Sequence, residues 1–226
     1  MAIPTNTPVS YRGGKKDYLL GLLAGILIGL LLLPILKNAK PSLYDTVWLF
    51  VVPFFAIGVP AGLIVASLIA KRIALVWQLA KFLVIGIMNT LVDIGVLALI
   101  TILVATDANH ASETTWFTIV SLVVTYYSLY KAISFIVANI NSFFWNKYWT
   151  FGAENRSQAT QQFFQFFLVS LIGFAINVSI ASVVFGSLSS AGAFTVAQAG
   201  LIGAAMGSVI GLAWNFIGYK FFVLKK

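Results

Sequence analysis

An all-α membrane protein with six transmembrane helices is expected from three features of the amino-acid sequence. The composition is 60% hydrophobic and only 9% charged, far from the roughly 25% charged residues of soluble domains. Apolar runs long enough to cross about 30 Å of hydrocarbon recur between Tyr18 and Leu224. The basic residues sit between those runs and are divided very unequally. With the N-terminus inside, the cytoplasmic side receives Arg12, Lys15, Lys16, Lys71, Arg72, Lys81, Lys147, Arg156, Lys220, Lys225 and Lys226, the outer side only Lys37 and Lys40, and Lys131 lies within the bilayer. That asymmetry puts both termini in the cytoplasm of a multi-pass protein of the cell inner membrane.

Residues 1–17 form a polar cytoplasmic tail, and the apolar run from Tyr18 to Leu36 is the first span. The run is too long for a signal-peptide core and lacks a small-x-small cleavage site, so it is expected to be retained. Gly21, Gly25 and Gly29 recur every four residues along it and make a smooth ridge for another helix. The second span, Thr46 to Ala70, carries Pro53 and Pro60 and a similar ridge of Gly58, Gly62, Ala66 and Ala70. These two spans make a two-helix extension over residues 18–72, ahead of a four-helix membrane domain over 78–226.

The third span, Leu79 to Val104, places Gly86, Asn89, Thr90 and Asp93 on one face, and Asp93 is the only acid within any span. The loop after it holds Asp107, His110 and Glu113 without Lys or Arg, as an outer loop should. Residues 116–150 exceed one simple crossing, so either a long tilted helix forms or Trp116 to Tyr127 lies along the outer interface. The fifth span is expected over Gln162 to Phe185 and the sixth over Ala193 to Leu224, with Gly203, Gly207 and Gly211 as its packing ridge.

Several function classes fall away. There are no cysteines and one histidine, which excludes disulfide frameworks and Cys/His metal sites; His110 reads as a solvated loop residue. No Walker motif is present, and no polar stretch is long enough for a separate catalytic domain. Neither enzyme activity, a cofactor nor a metal is expected. The net charge of +8 follows from the topology and not from a nucleic-acid surface.

The fourth span is the unusual one. In KAISFIVANINSFFWNKYWTF, from Lys131 to Phe151, Lys131, Phe135, Asn139, Ser142 and Asn146 fall at i, i+4, i+8, i+11 and i+15 and share one helix stripe. An ionisable residue inside a membrane marks a candidate functional site. Asn141 lies off the stripe and reads as an interhelical hydrogen-bonding residue.

An internal repeat is also expected. Lys81-Phe82-Leu83-Val84 aligns with Gln165-Phe166-Phe167-Leu168 and brings Asp93 opposite Asn177 without a gap, and Ser142 to Trp149 aligns with Asn215 to Phe222. Each repeat holds two spans, so the two halves are parallel and related by an axis along the membrane normal, with a site expected at their junction.

FLVIGIMNTLVDIGVLALI in the third span and the fourth-span sequence, with N-T-x-x-D and N-x-N-x-F-x-x-N-K-x-W-T-F, resemble the GtrA-like family of small membrane proteins. The resemblance runs from about Gln78 to the C-terminus and implies a four-helix unit, to which the two N-terminal helices are an addition. It implies a flippase that moves a polyprenyl-phosphate-linked sugar from the cytoplasmic to the outer leaflet for cell-surface polysaccharide glycosylation. It also implies a membrane glycosyltransferase as partner, and an alternative role as a non-catalytic anchor for such an enzyme. A compact transporter of small solutes or ions is a third reading.

The residues suit a lipid-linked sugar. Asn89, Asp93, Asn139, Ser142 and Asn146 supply donors and acceptors for hydroxyls, and Lys131 and Lys147 supply cations for phosphate. Each has a plainer reading beside it. If Lys81 and Lys147 mark one inner boundary, Asp93 lies about 18 Å above it and Lys131 about 24 Å, a gap that a lysine side chain spans. Asp93 and Lys131 therefore either pair with each other or contact substrate. The asparagines serve also as polar glue, and Lys147 as a positive-inside anchor. Self-association through the glycine ridges of the first or sixth span is expected, because few spans enclose little room.

Overall fold

The computed structural model describes residues 13–104, 111–112, 114–119, 122–153 and 158–224. Arg12, Asp107, His110, Glu113, Arg156, Lys225 and Lys226 lie outside the described residues. The chain forms two compact units, one ending at Trp145 and the other beginning at Asn146.

In the first unit, α1 (Lys15–Ala39) and α2 (Pro41–Ala70) form a tight helical hairpin. The start of α1 is fixed by Asp17, whose carboxylate accepts the Gly14 N–H at 3.0 Å, an acid placed where the helix dipole favours it. Lys40 alone separates the two helices, and Pro41 begins α2 where its missing N–H costs nothing. The ridge of α1 does what its spacing suggests, but inside the chain. A Cβ at Gly29 would come within 2.7 Å of the Val52 Cα, and one at Gly25 would overlap the Phe55 carbonyl. Self-association through this ridge is therefore replaced by packing on α2. The ridge of α2 divides, because Ala66 and Ala70 are buried while Gly58 and Gly62 face open space.

Helix α3 (Leu75–Val104) follows after a four-residue turn and buries Trp77, Phe82, Ile85, Met88 and Leu91. Beyond it comes a β-hairpin. Neither a long helix nor an interfacial helix covers the start of the 116–150 region. Instead β1 (Thr115–Ile119) and β2 (Leu122–Thr125) pair antiparallel, with Thr115 opposite Thr125 and Thr118 opposite Val123. Thr, Val and Ile dominate this stretch, and β-branched chains fit a pleated surface better than a helix. The hairpin leads directly into α4 (Tyr126–Trp145), where the Tyr126 N–H donates to the Thr114 carbonyl at 3.0 Å.

The second unit opens with a π-turn, Asn146–Thr150, closed by an i→i+5 hydrogen bond from the Phe151 N–H to the Asn146 carbonyl at 2.9 Å. Helix α5 (Ala159–Ala191) ends at Gly192, which adopts φ 69° and so closes the helix without steric strain. Thr195 caps α6 (Val196–Gly218) reciprocally with Gln198: the Gln198 N–H donates to Thr195 Oγ1 at 3.2 Å and the Thr195 N–H to Gln198 Oε1 at 3.0 Å. A second π-turn, Tyr219–Val223, closes the element, with Leu224 N–H on the Tyr219 carbonyl at 2.7 Å. The two π-turns fall at positions that the aligned repeats place opposite each other.

The ridge of α6 is also used within the chain. A Cβ at Gly203 would lie 2.6 Å from the Ala181 carbonyl oxygen, and Gly207 and Gly211 rest on Asn177 and Gly173 of α5. Five of the described helical segments are long and apolar enough to cross a membrane. The exception is α4, whose 20 residues reach about 30 Å but whose polar side chains lower its hydropathy. The chain is an all-α multi-pass membrane protein with one small β-hairpin.

Candidate functional site

Asp93 sits midway along α3, and α4 brings two partners to it. Lys131 forms an ion pair with Asp93 Oδ2, and the Ser134 hydroxyl donates to Asp93 Oδ1 at 2.6 Å. Asp93 and Lys131, at depths that a lysine side chain can bridge, pair with each other. The cluster is not sealed, however. Ser134 is fully buried, whereas the Lys131 side chain is 43% exposed and that of Asp93 20%, so the lysine side chain is open along part of its length. A carboxylate with a cation and a hydroxyl on its two oxygens is held in place without being used up as an electrostatic site.

Ser134 was not among the expected residues. The polar stripe of the sequence runs through Lys131, Phe135, Asn139, Ser142 and Asn146, and the buried face of α4 is rotated from it, running through Tyr130, Ser134, Ala138 and Ser142 with Asn139 and Phe143 beside them. The available signal was that Ser134 stands three residues from Lys131, on the neighbouring ridge of the same helix. Asn139 is buried and its amide donates to the Phe135 carbonyl of its own helix at 2.8 Å, which leaves its side-chain oxygen for another donor. Ser142 is buried on the same face. On α3, Thr90 bonds back to the Gly86 carbonyl at 3.1 Å, and the side-chain oxygen of Asn89 is buried without a hydrogen-bond partner.

In the second unit, Asn146 and Lys147 occupy the first π-turn and both are buried. Lys147 is not the solvated positive-inside anchor that its place in the sequence suggests. It is fully enclosed, its ammonium donates to Gln162 Oε1 of α5, and it stands 5.8 Å from the centre of the Tyr148 ring. Within the same unit Tyr219 stacks on Phe166 with centroids 3.8 Å apart and its hydroxyl lies 2.6 Å from that of Ser170, a buried polar contact that no periodicity announced.

A second charged contact, also unforeseen, sits near the start of α3. Lys81 is buried, its ammonium donates to Asp17 Oδ1 at 3.2 Å, and it lies 5.1 Å from the centre of the Trp77 ring. Tyr18, next to Asp17, packs edge-on against Trp77 and donates to Ser67 at 3.3 Å. Three helices are joined there. Among the described residues, no group of three or more His, Cys, Asp or Glu side chains is placed to hold a metal ion.

The family model for the GtrA/DPMS transmembrane domain matches residues 81–224, well over half of the chain. The chain belongs to the GtrA/DPMS family. No curated protein and no solved structure matches it. Membership puts the chain among membrane proteins of lipid-linked sugar glycosylation, and the GtrA/DPMS match takes in every candidate site residue named above: Asn89, Asp93, Lys131, Asn139, Ser142, Asn146 and Lys147. It begins at Lys81, the lysine that Asp17 of α1 holds, and leaves α1 and α2 outside the GtrA/DPMS domain.

Proposed function

We propose that this GtrA/DPMS protein is a flippase that carries a polyprenyl-phosphate-linked sugar from the cytoplasmic to the outer leaflet, making and breaking no covalent bond. The observation that supports this reading is the Asp93–Lys131–Ser134 cluster, carried by two membrane-spanning helices with the lysine side chain 43% exposed. Charged groups within a span are costly against lipid. An ion pair that hands its cation to a passing phosphate must leave that side chain partly open, as Lys131 is. The hydroxyls of the sugar need donors and acceptors along the path, and Asn89, Asn139 and Ser142 supply them on the same two helices.

The test is reconstitution of the purified protein into liposomes loaded with a labelled polyprenyl-phosphate sugar, followed by measurement of its appearance on the opposite leaflet. Movement above that of empty liposomes is expected, and an unchanged rate would overturn the reading. Orientation in the inner membrane is tested separately. Cysteines at Ser112 and Ser190 should react with an impermeant maleimide in intact cells, and one at Gln158 only after permeabilisation. The reverse pattern would overturn the cytoplasmic placement of the termini.

A second reading, that the protein is a membrane anchor for a glycosyltransferase, is favoured by Gly58 and Gly62. They keep an open small-residue strip on α2, the kind of surface on which another helix can pack closely. In that case the purified protein alone moves no lipid, and addition of the enzyme restores glycosylation.

A further inference from the structure

Helices α3 and α4 each carry a buried amide atom without a hydrogen-bond partner: the side-chain oxygen of Asn89 and the side-chain nitrogen of Asn141. One is an acceptor and the other a donor. Buried polar groups in folded proteins are nearly always paired, so each exception needs a reason. The packing role that the sequence gives Asn141 does not supply one, because an asparagine that glues helices together must bond across them.

Their placement is coordinated. Asn89 stands one turn before Asp93 on α3, and Asn141 two turns beyond Ser134 on α4, each on the stripe of its neighbour in the Asp93–Ser134 contact. The two helices cross the membrane in opposite directions, so both asparagines lie on the cytoplasmic side of that contact, by about 6 Å and about 10 Å at ~1.5 Å per residue. The axial offset between them is only about 4 Å. A hydroxyl group carries one donor and two acceptor lone pairs, so a single O–H can donate to Asn89 and accept from Asn141.

We propose that Asn89 and Asn141 together read one hydroxyl of the sugar headgroup, below the Lys131–Asp93 pair that meets its phosphate. This rests on the flippase reading and adds a residue, Asn141, and a selectivity: the pair discriminates a sugar bearing that hydroxyl from its deoxy analogue. A site built to bond a hydroxyl rejects the analogue lacking it, because two buried groups are then left unmatched.

The experiment uses the full chain in detergent, with polyprenyl-phosphate glucose and its monodeoxy analogues as probes, and follows the unfolding temperature with and without each lipid. Without lipid, Asn89→Leu and Asn141→Leu should unfold no lower than the wild type, since each removes an unmatched buried group. Either variant should bind the glucose lipid about tenfold more weakly, and one deoxy analogue should bind the wild type and both variants alike. A clear fall in the unfolding temperature of the lipid-free variants would make these residues packing contacts and overturn the proposal. So would unchanged affinity, or equal weakening toward every analogue. If the binding pattern holds but liposomes show no translocation, the flippase reading fails while the hydroxyl site stands; translocation without the pattern is the opposite failure.

Discussion

At the same place in the two aligned helix pairs, Asp93 accepts a hydrogen bond from Ser134, whereas Asn177 meets the bare backbone of Gly207, where a Cβ would come within 2.8 Å of its side-chain oxygen. The counterparts continue one turn along: Asn89 on α3 corresponds to Gly173 on α5, and Gly173 lies against Asn215 as Gly207 lies against Asn177. One pair of helices meets through charged and hydroxyl side chains, the other through glycine. Close backbone approach leaves no width for a ligand and no charge to attract one. Polar residues in a span are thus not sufficient for a site. Asn177 and Asn215 are as polar as Asn89, yet they are clasped by glycines, while α3 and α4 keep a partly open lysine between them. The second pair is packed through its backbone, and the charged side chains of the two pairs lie on the first.

The largest effect should come from closing that backbone contact. Gly207→Leu drives a side chain into the Asn177 backbone, and overpacking without relief costs about 3 kcal/mol; loss of most folded protein in detergent, read by thermal unfolding, is expected. Next, Asn177→Asp puts the acid of the first pair into the second, where the counterpart of Lys131 is Ala204. An acid without a cation there should cost about 2 kcal/mol, and addition of Ala204→Lys should recover most of it. No recovery would show that the two pairs do not share a register.

Within the first pair, Asp93→Asn and Lys131→Gln should each destabilise by about 1–2 kcal/mol, less than a sealed pair because the lysine is partly exposed. The double neutral variant should regain stability but not translocation, as the cation for the phosphate is gone; regained translocation would show that Lys131 does not meet substrate. The smallest change is Ser134→Ala, which removes one hydrogen bond to Asp93 and should cost about 1 kcal/mol, with translocation slowed and not abolished.

What was legible in the sequence follows the same division. Helix rise alone brought Asp93 within reach of Lys131, because depth in a membrane is set by residue count. Azimuth was less legible: the stripe through Lys131 and Phe135 missed Ser134, since amphipathicity averages over a wide arc and does not say where a neighbour sits. Four-residue glycine spacing announced close packing in α1 and α6 but not whether the partner was the same chain. The π-turn that encloses Lys147 has no spacing signature at all, and a lysine at the inner end of a span reads as a positive-inside anchor. The hairpin after α3 was missed because hydropathy ranks Val and Ile by transfer energy, not by backbone preference.

The contact between Asp17 and Lys81 ties the matched domain to a helix that lies outside it. Lys81 is the first residue of the GtrA/DPMS match, and the carboxylate that holds it comes from α1, outside the match. A chain trimmed to the family boundary would keep a lysine buried beside Trp77 and lose the acid that meets it, together with the Tyr18 contact on the same ring. The packing around Lys81 therefore extends beyond the homologous domain, back to Asp17 and Tyr18 at least.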